Sequence, residues 1–442
     1  MDNKPTILII IGISGDLSRK KLLPAIGQIF ESKMIPEKFK IVGVTRQNDV
    51  DINHLLKNTH NKDYLLKNTE LFQMDLDDSS DYERLKSHLE KIESEFGESA
   101  QYIFYFSIPP NILKSIVELI GKSGLALREN IKLLIEKPFG VDLQSAIDLV
   151  SHIDKYFKQE QIYRIDHYLA KETAQNIIVF RNGNSLFKKT WNKDFIEKIE
   201  ITVSEEIGIE GRVKFYEQTG ALRDLIQSHL LQLLALTLME IPEEGHLNEI
   251  PYLRYKALSR LQIVKDSNNF CDKRGQYDSY REEVNNPDSM VETFASINLE
   301  SDDPKWKGVK IIFNTGKALK DKITFIKILY KKDNEHESNE LLLRLQPNEG
   351  ISFSVWAKNP GYEHKISRHI LDFSFKDHYE VLPMAYEQVL FNAIKGDHSL
   401  FTLSEEIIET WRILDPLQKE WINQNQDLII YPKGSDIKDI LG

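Results

Sequence analysis

Residues 6–11 read TILIII, and the next seven read GISGDLS. A continuous apolar run of this length suits a strand covered on both faces, which is the situation of a strand inside a parallel sheet. The glycine-containing turn that follows opens into an amphipathic segment, LSRKKLLPAIGQIFESK. The same unit then recurs. FKIVGVTRQ (39–47) is a second short strand, LFQMDLDD a third, QYIFYFSIPP a fourth and IKLLIEKPFG a fifth, each separated by a helix-length stretch. Strands alternating with helices predict a doubly wound, Rossmann-like parallel sheet.

After about residue 175 the rhythm changes. IEKIEITVSEE alternates with period two, and a long helix is expected from Ala221 to Glu240. SMVETFASINLE, GVKIIFN, ITFIKILYKK, NELLLRLQ, GISFSVWAK and RHILDFSFK then follow with little helical sequence between them, which predicts one large, mainly antiparallel sheet. Helices near 382–395 and 403–423 close the chain. The fold class expected is therefore α/β plus α+β. A dinucleotide-binding domain over 1–166 precedes an antiparallel β+α domain over 167–442, as suits a chain of 442 residues. The boundary falls in RIDHYLAKE (164–172), and clefts between domains are favoured ligand sites.

Composition narrows the function. With 41% hydrophobic and 28% charged residues the chain reads as a globular protein. A net charge of -11 without a basic stripe argues against nucleic acid as a partner. Cys271 is the single cysteine, which excludes a disulfide framework or a cysteine metal cluster and fits a reducing compartment. No apolar run approaches a membrane span of roughly 18 residues, and the N-terminal run lacks a cleavage site. The expected location is cytoplasmic, without membrane association.

Three short motifs carry chemistry. In GISGDLS, Gly12 and Gly15 stand as G-x-x-G, with Ser18 at the last small position of the dinucleotide fingerprint. Glycine there lets the backbone turn sharply and approach a pyrophosphate at a helix N-terminus; a plain strand-to-helix turn uses the same residues. At the end of the second strand, VGVTRQ supplies Arg46 and no acid. A guanidinium suits a 2'-phosphate, so NADP is preferred, with Arg46 as an ordinary surface charge the alternative. In LLIEKPFG, Pro138 restricts Lys137 to extended backbone and is open to the cis form. Lys137 then points an ammonium past the strand end, toward ligand or toward solvent.

RIDHYLAKE packs Arg, Asp, His, Tyr, Lys and Glu into nine residues. A solvated helix face accounts for Lys171 and Glu172 but poorly for Asp166, His167 and Tyr168 in a row. GISGDLSRKKLLP, EKPFG and RIDHYLAKE, in this order, closely resemble the glucose-6-phosphate dehydrogenase family. The resemblance continues through EGRVKFYEQTGALRDLIQSHLLQ, RGQY, TGKAL, LQPNEG, AYEQVLFNAIKGD and WRILDP, so it covers nearly the whole chain.

What the resemblance implies is specific. The activity would be NADP-dependent oxidation of glucose 6-phosphate at C1 to the lactone, opening the oxidative pentose phosphate pathway, with NAD a possible secondary cofactor. His167, Tyr168 and Lys171 match positions that hold the 6-phosphate, and Lys137 one that meets substrate and cofactor. His229 matches the general base, Asp166 the carboxylate that orients it, and Asp224 and Glu205 sugar-contacting carboxylates. Lys317, Lys322 and Gln346 match further substrate contacts. Gly12, Ser14, Gly15, Asp16, Leu17, Lys21, Arg46, Asp75 and Leu76 match cofactor-lining positions. A histidine that titrates near working pH suits removal of the C1 hydroxyl proton, and an adjacent aspartate would fix its tautomer. No metal is expected, since the cofactor carries the hydride.

Periodicity alone says less. On a regular α-helix Asp224 and His229 lie about 140° apart, and His229 is equally a core histidine. Lys317 and Lys322 in TGKALKDK read most simply as a solvated turn. The chain also departs from the family pattern. Ala170 replaces a usual glycine, Asn314 and Leu403 replace arginines, Ser107 replaces an alanine, PKWKGV is looser than usual, and the region 240–290 is compressed. A dehydrogenase of another hexose 6-phosphate, or a non-catalytic NADP- or sugar-phosphate-binding regulator, would share most of these features. A homodimer or homotetramer is expected, because the family is oligomeric and a large antiparallel sheet offers a face.

Overall fold

The computed structural model describes residues 4–442 except 58, 244, 267–268, 333–335 and 424–427. The chain divides into two compact units. One comprises Met1–Ala170, His246–Pro251 and Pro383–Ile408; the other comprises Lys171–Gly245, Tyr252–Leu382 and Glu409–Gly442.

In the first unit β1 (Thr6–Ile11), β2 (Phe39–Thr45), β3 (Thr69–Gln73), β4 (Gln101–Phe106), β5 (Ile131–Glu136) and β6 (Ile162–Ile165) form a parallel sheet. The strand order is β18-β6-β5-β4-β1-β2-β3, where β18 (Phe401–Thr402) adds antiparallel to β6. Every residue of β1 and of β4 is buried, as the uninterrupted apolar runs require. The connecting helices include Leu23–Glu31, Ser79–Phe96, Leu113–Lys122 and Leu143–Ile153. Their starts carry the expected chemistry: Asp78 accepts from Ser80 N–H at the second, and Asp142 and Ser145 form a capping box at the last.

β6 and β18 were not foreseen. The sequence IYRI is short and contains a charge, but Arg164 is only 1% exposed, with burial pulling its pKa down to about 10. A guanidinium carried inside the fold erases the apolar signature of the strand. The helix Ala385–Lys395 also belongs to this unit, where Val389, Leu390 and Ala393 join Leu8, Ile26 and Ile103 in one core. Lys132 donates to the carbonyls of Ala393 (2.6 Å) and Ile394 (3.3 Å), so an ammonium meets the negative end of that helix.

The second unit is built on β7 (Ile196–Ser204), β8 (Leu261–Ile263), β11 (Asp272–Tyr277), β12 (Phe294–Ser301), β13 (Lys310–Gly316), β14 (Ile323–Tyr330), β15 (Glu340–Gln346), β16 (Gly350–Lys358), β17 (Ile366–Ser374) and β19 (Ile429–Tyr431). A separate two-stranded ribbon pairs β9 (Lys265–Asp266) with β10 (Asn269–Phe270). The large sheet runs β17-β16-β15-β14-β7-β13-β12-β11-β19, with β8 paired to β12. It is mainly antiparallel, with parallel pairings where β13 meets β7 and β11 meets β19. Residues 222–238, expected as one helix, divide into a π-helical segment, Leu222–Leu230, and an α-helix, Leu231–Leu238, buried at every position. None of the described helices is long and apolar enough to cross a membrane.

The turn after β1 shows why glycine is required there. Gly12 has φ of +85°, and a Cβ on it would lie 2.4 Å from the carbonyl oxygen of Ser107. Its missing side chain makes room for the loop after β4. Replacing Gly12 with alanine imposes a left-handed backbone worth about 1–3 kcal/mol and a clash besides. We therefore expect Gly12→Ala to lower the urea midpoint of unfolding, and an unchanged midpoint would refute this reading of the turn.

Candidate active site

In the first unit, the C-terminal ends of β1, β2 and β3 lie side by side. Gly12 and Ile13 both donate to Val44 O (3.0 and 3.2 Å), and Met74 N–H donates to Thr45 O at 3.1 Å. The glycine turn, Arg46 and Asp75 therefore share one end of the sheet, where ligands of such sheets sit. Ser18 Oγ donates to Gly12 O at 3.2 Å and closes the turn, ahead of a π-helical segment, Ser18–Leu22. Ser14 and Gly15 are half-buried, and Arg46 and Lys21 are exposed. Leu17 stands at the cap of the segment. Asp16 is engaged by Lys20 and by Arg19, which hold its carboxyl below the usual range.

Asp75 and Leu76 mostly serve the protein itself. The Asp75 carboxylate caps its own turn by accepting from Asp77 N–H at 3.1 Å. Leu76 is buried, and its carbonyl accepts the Tyr82 hydroxyl at 2.9 Å. An exposed guanidinium beside a glycine turn, with no acid ending β2, is a donor set that fits a phosphorylated dinucleotide.

Lys137 follows β5 and precedes Pro138 through a cis peptide bond. Glu136, which sequence reasoning passed over, sits under this turn. Its carboxylate accepts hydrogen bonds from the hydroxyls of Tyr105 and Tyr386. Burial, opposed by those two hydroxyls and by Lys137 and reinforced by Asp166, raises its pKa to about 7. Glu136 pairs with Ile165 in the register of β5 and β6, which brings Asp166 beside it.

Asp166 is 3% exposed; its Oδ1 accepts from Tyr168 N–H at 2.9 Å and its carbonyl from Leu169 N–H at 3.0 Å. The stretch that follows β6 is thus a turn organised by an aspartate. The His167 ring lies 5.1 Å from Tyr168 and 6.3 Å from Tyr386, the latter pair within 13° of parallel. Tyr168 is buried with its ring, and Ala170 is fully buried in the unit's core. The backbone of Ala170 lies outside the left-handed region, so no glycine is required there.

In the second unit, sheet register assembles the polar residues. Ser204 at the end of β7 pairs with Gly316 on one side and Ile323 on the other, and Thr324 pairs with Gln346. Glu205, Lys317, Lys322 and Gln346 therefore form a row across one end of four neighbouring strands. The TGKAL turn is zipped onto the 205–207 segment: Glu205 N–H donates to Gly316 O, Ala318 N–H to Ile207 O and Leu319 N–H to Glu205 O, all at 2.9–3.0 Å. This puts Lys317 against Glu205, which it ion-pairs, and 3.4 Å from Asp224 Oδ2. The ammonium also lies 5.2 Å above the Tyr216 ring. Lys317 is 1% exposed, so the solvated turn expected from TGKALKDK is corrected for this residue. Lys322 is exposed as that reading has it.

The segment carrying Asp224 and His229 packs on β7 and β13. Its hydrogen bonds close between residues five apart, so Asp224 and His229 come to the same side of the helix. The 140° separation of an α-helix is reduced by this wider turn. His229 is 1% exposed.

Lys171 donates to Gln346 Oε1 at 2.5 Å, and Gln346 donates in turn to Thr324 Oγ1 at 2.9 Å. Burial lowers the pKa of Lys171, with Glu349 opposing and the nearby Lys322 reinforcing. Two ammonium groups close enough to repel make a natural seat for an anion. Asn314, which stands where the family pattern has an arginine, is held inside the sheet by Ser296 at 2.8 Å and Glu200 at 3.4 Å.

Sequence reasoning missed Tyr105, Tyr216 and Tyr386 as members of these clusters. Tyr216 and Tyr386 lie within motifs already singled out, FYEQTG and AYEQ, but nothing in spacing tells a core phenol from one that meets a charge.

Two family models match the chain: one described as the NAD-binding domain of glucose-6-phosphate dehydrogenase over residues 9–176, the other as its C-terminal domain over 178–438. A curated glucose-6-phosphate 1-dehydrogenase of Chlamydia muridarum is 34% identical over 461 residues, covering 94% of this chain and 90% of that protein. A solved glucose-6-phosphate dehydrogenase in complex with its substrate glucose-6-phosphate superposes with a TM-score of 0.92 at 29% identity, covering 99% of this chain and 97% of the other. The corresponding enzyme of Mycobacterium avium gives 0.83 at 29% identity, covering 98% and 95%.

Glu136 makes a measurable contribution to the pH dependence of stability. Its pKa rises from 4.5 to about 7 on folding, so the folded state keeps the proton longer than the unfolded chain. The stabilisation is fully present below 4.5 and is lost as pH rises to about 7. The loss amounts to about 3 kcal/mol. Glu136→Gln lacks this titration, so its stability relative to wild type should climb by that amount between acid and neutral pH in urea unfolding. A pH-independent difference would show that Glu136 is not buried as described.

Proposed function

The chain belongs to the glucose-6-phosphate dehydrogenase family, and we propose that it oxidises D-glucose 6-phosphate at C1 to 6-phosphoglucono-1,5-lactone with NADP as acceptor. The observation that carries this reading is the buried His229, one wide helical turn from an Asp224 that Lys317 holds. When bound, the nicotinamide supplies the hydride acceptor. What remains for the protein is to bind the sugar, orient it and take one proton.

His229 takes the proton of the C1 hydroxyl through a ring nitrogen. Its burial excludes water that would otherwise compete for that proton. Asp166 is the carboxylate that fixes the imidazole tautomer and stabilises the imidazolium. Glu205 and Asp224 accept hydrogen bonds from sugar hydroxyls while Lys317 neutralises them. Lys171, with Lys322 and Gln346 beside it, binds the phosphate together with His167 and Tyr168, and Lys137 meets the substrate next to the cofactor. Gly12, Ser14, Gly15, Asp16, Leu17, Lys21, Asp75 and Leu76 line the dinucleotide, and Arg46 binds the 2'-phosphate that distinguishes NADP from NAD.

We further assign a cytoplasmic location, supported by the single Cys271, and a homodimer or homotetramer. Supporting the oligomer, β17 is the edge of the large sheet and exposes Ile366, Ile370, Leu371 and Phe373. An edge strand with exposed apolar side chains offers a surface for a partner.

A substrate panel with both nucleotides is the direct test. NADPH formation from glucose 6-phosphate in preference to other hexose 6-phosphates is expected, and binding without turnover would leave only a regulatory protein. His229→Ala should lower kcat by about 10²–10⁴ with little change in KM, whereas wild-type turnover by that variant would reject the assignment. Arg46→Ala should weaken NADP far more than NAD, and equal loss for both would remove Arg46 from 2'-phosphate recognition.

A further inference from the structure

Glu136 is a carboxyl group buried within a turn that the proposed chemistry uses, yet nothing in that chemistry employs it. Four elements face it. Tyr105 reaches it from β4 and Tyr386 from the helix Ala385–Lys395, while Lys137 follows it in the turn after β5 and Asp166 stands in the turn after β6. Tyr386 also turns its ring face toward His167. Glu136 therefore connects directly to Lys137 and, through one phenol, to the surroundings of His167. Resting on the reading above, these are two of the residues that grip the sugar phosphate.

We propose that Glu136 is a positioning residue that couples sugar-phosphate affinity to pH, through the hydroxyls of Tyr105 and Tyr386 and through its own charge beside Lys137.

The hydrogen-bond chemistry supplies the mechanism. A carboxylate accepts from both tyrosines at once. A carboxylic acid has an O–H of its own to donate and accepts less strongly than a carboxylate, so protonation weakens or redirects the bonds from the two tyrosines. Burial, with the negative groups nearby, raises the pKa of both phenols, so they remain protonated donors throughout the working range. Gain or loss of one proton on Glu136 thus resets a hydrogen bond of Tyr386 or Tyr105.

Charge sets the direction of the effect. Ionised, Glu136 competes with the substrate for the Lys137 ammonium and places a second negative charge near Asp166, opposing a phosphate dianion. Because the raised pKa is about 7, the change falls near neutral pH.

The experiment is the KM for glucose 6-phosphate from pH 5.5 to 9 in wild type, Glu136→Gln and Tyr386→Phe, with folding verified by circular dichroism. Substrate ionisation and histidine titration affect all three proteins and cancel in the ratio of wild-type to Glu136→Gln KM. That ratio should rise about tenfold as pH passes through neutrality, while the corresponding kcat ratio changes less than about threefold. Tyr386→Phe removes a donor that favours the ionised form, so its transition should move to higher pH. A pH-independent KM ratio in an active wild type would overturn the role of Glu136 and leave the proposed reaction intact. Absence of glucose 6-phosphate turnover in wild type would instead overturn the reaction and this inference with it.

Discussion

An ammonium group with 1% of its side chain exposed is costly to bury, and in the second unit Lys317 is in that position between Glu205 and Asp224. Charges carried into a protein interior cost several kcal/mol each unless paired and hydrogen-bonded. Here the pairing is imposed by the backbone. The TGKAL turn is stitched to residues 205–207, and the π-helical segment carrying Asp224 packs over the same strands. The proposed sugar-binding row follows from that constraint, since Glu205, Lys317, Lys322 and Gln346 occupy adjacent registers at one end of the sheet. His229 inherits its place from the helix that delivers Asp224.

In the first unit the analogous constraint is the end of the parallel sheet, where β1, β2 and β3 bring the glycine turn, Arg46 and Asp75 together. Two strands away, β5 and β6 set Glu136 beside Asp166. Polar groups at such strand ends have few strand partners left and must find side chains, turn amides or ligands. Tyr105 and Tyr386 answer that need for Glu136, and the turn amides of residues 168–169 answer it for Asp166.

Much of this organisation was legible in the sequence because apolar runs and alternation are direct consequences of burial. The first five strands and the run from β12 to β17 follow from them. β6 was hidden because Arg164 interrupts its apolar run while lying inside the fold, and β18 because two residues carry no periodicity. The convergence of Asp224 with His229 was invisible for a different reason. An α-helical period was assumed where the backbone closes its hydrogen bonds five residues apart, and nothing in LRDLIQSHL announces that pitch. Lys317 was misjudged as solvated because its partners lie far away in sequence. Glu136 was quoted as part of EKPFG without a role, since its meaning depends on Tyr386, some 250 residues further along.

The central claim is that the buried Lys317 cluster binds the sugar. Calorimetric titration of glucose 6-phosphate into folded Lys317→Gln measures it most directly. Loss of a charged hydrogen-bonding group from the sugar's site costs on the order of 2 kcal/mol of binding. Affinity at least about 30-fold weaker than wild type is therefore expected, together with a native circular dichroism spectrum. Wild-type affinity in a folded Lys317→Gln would contradict it.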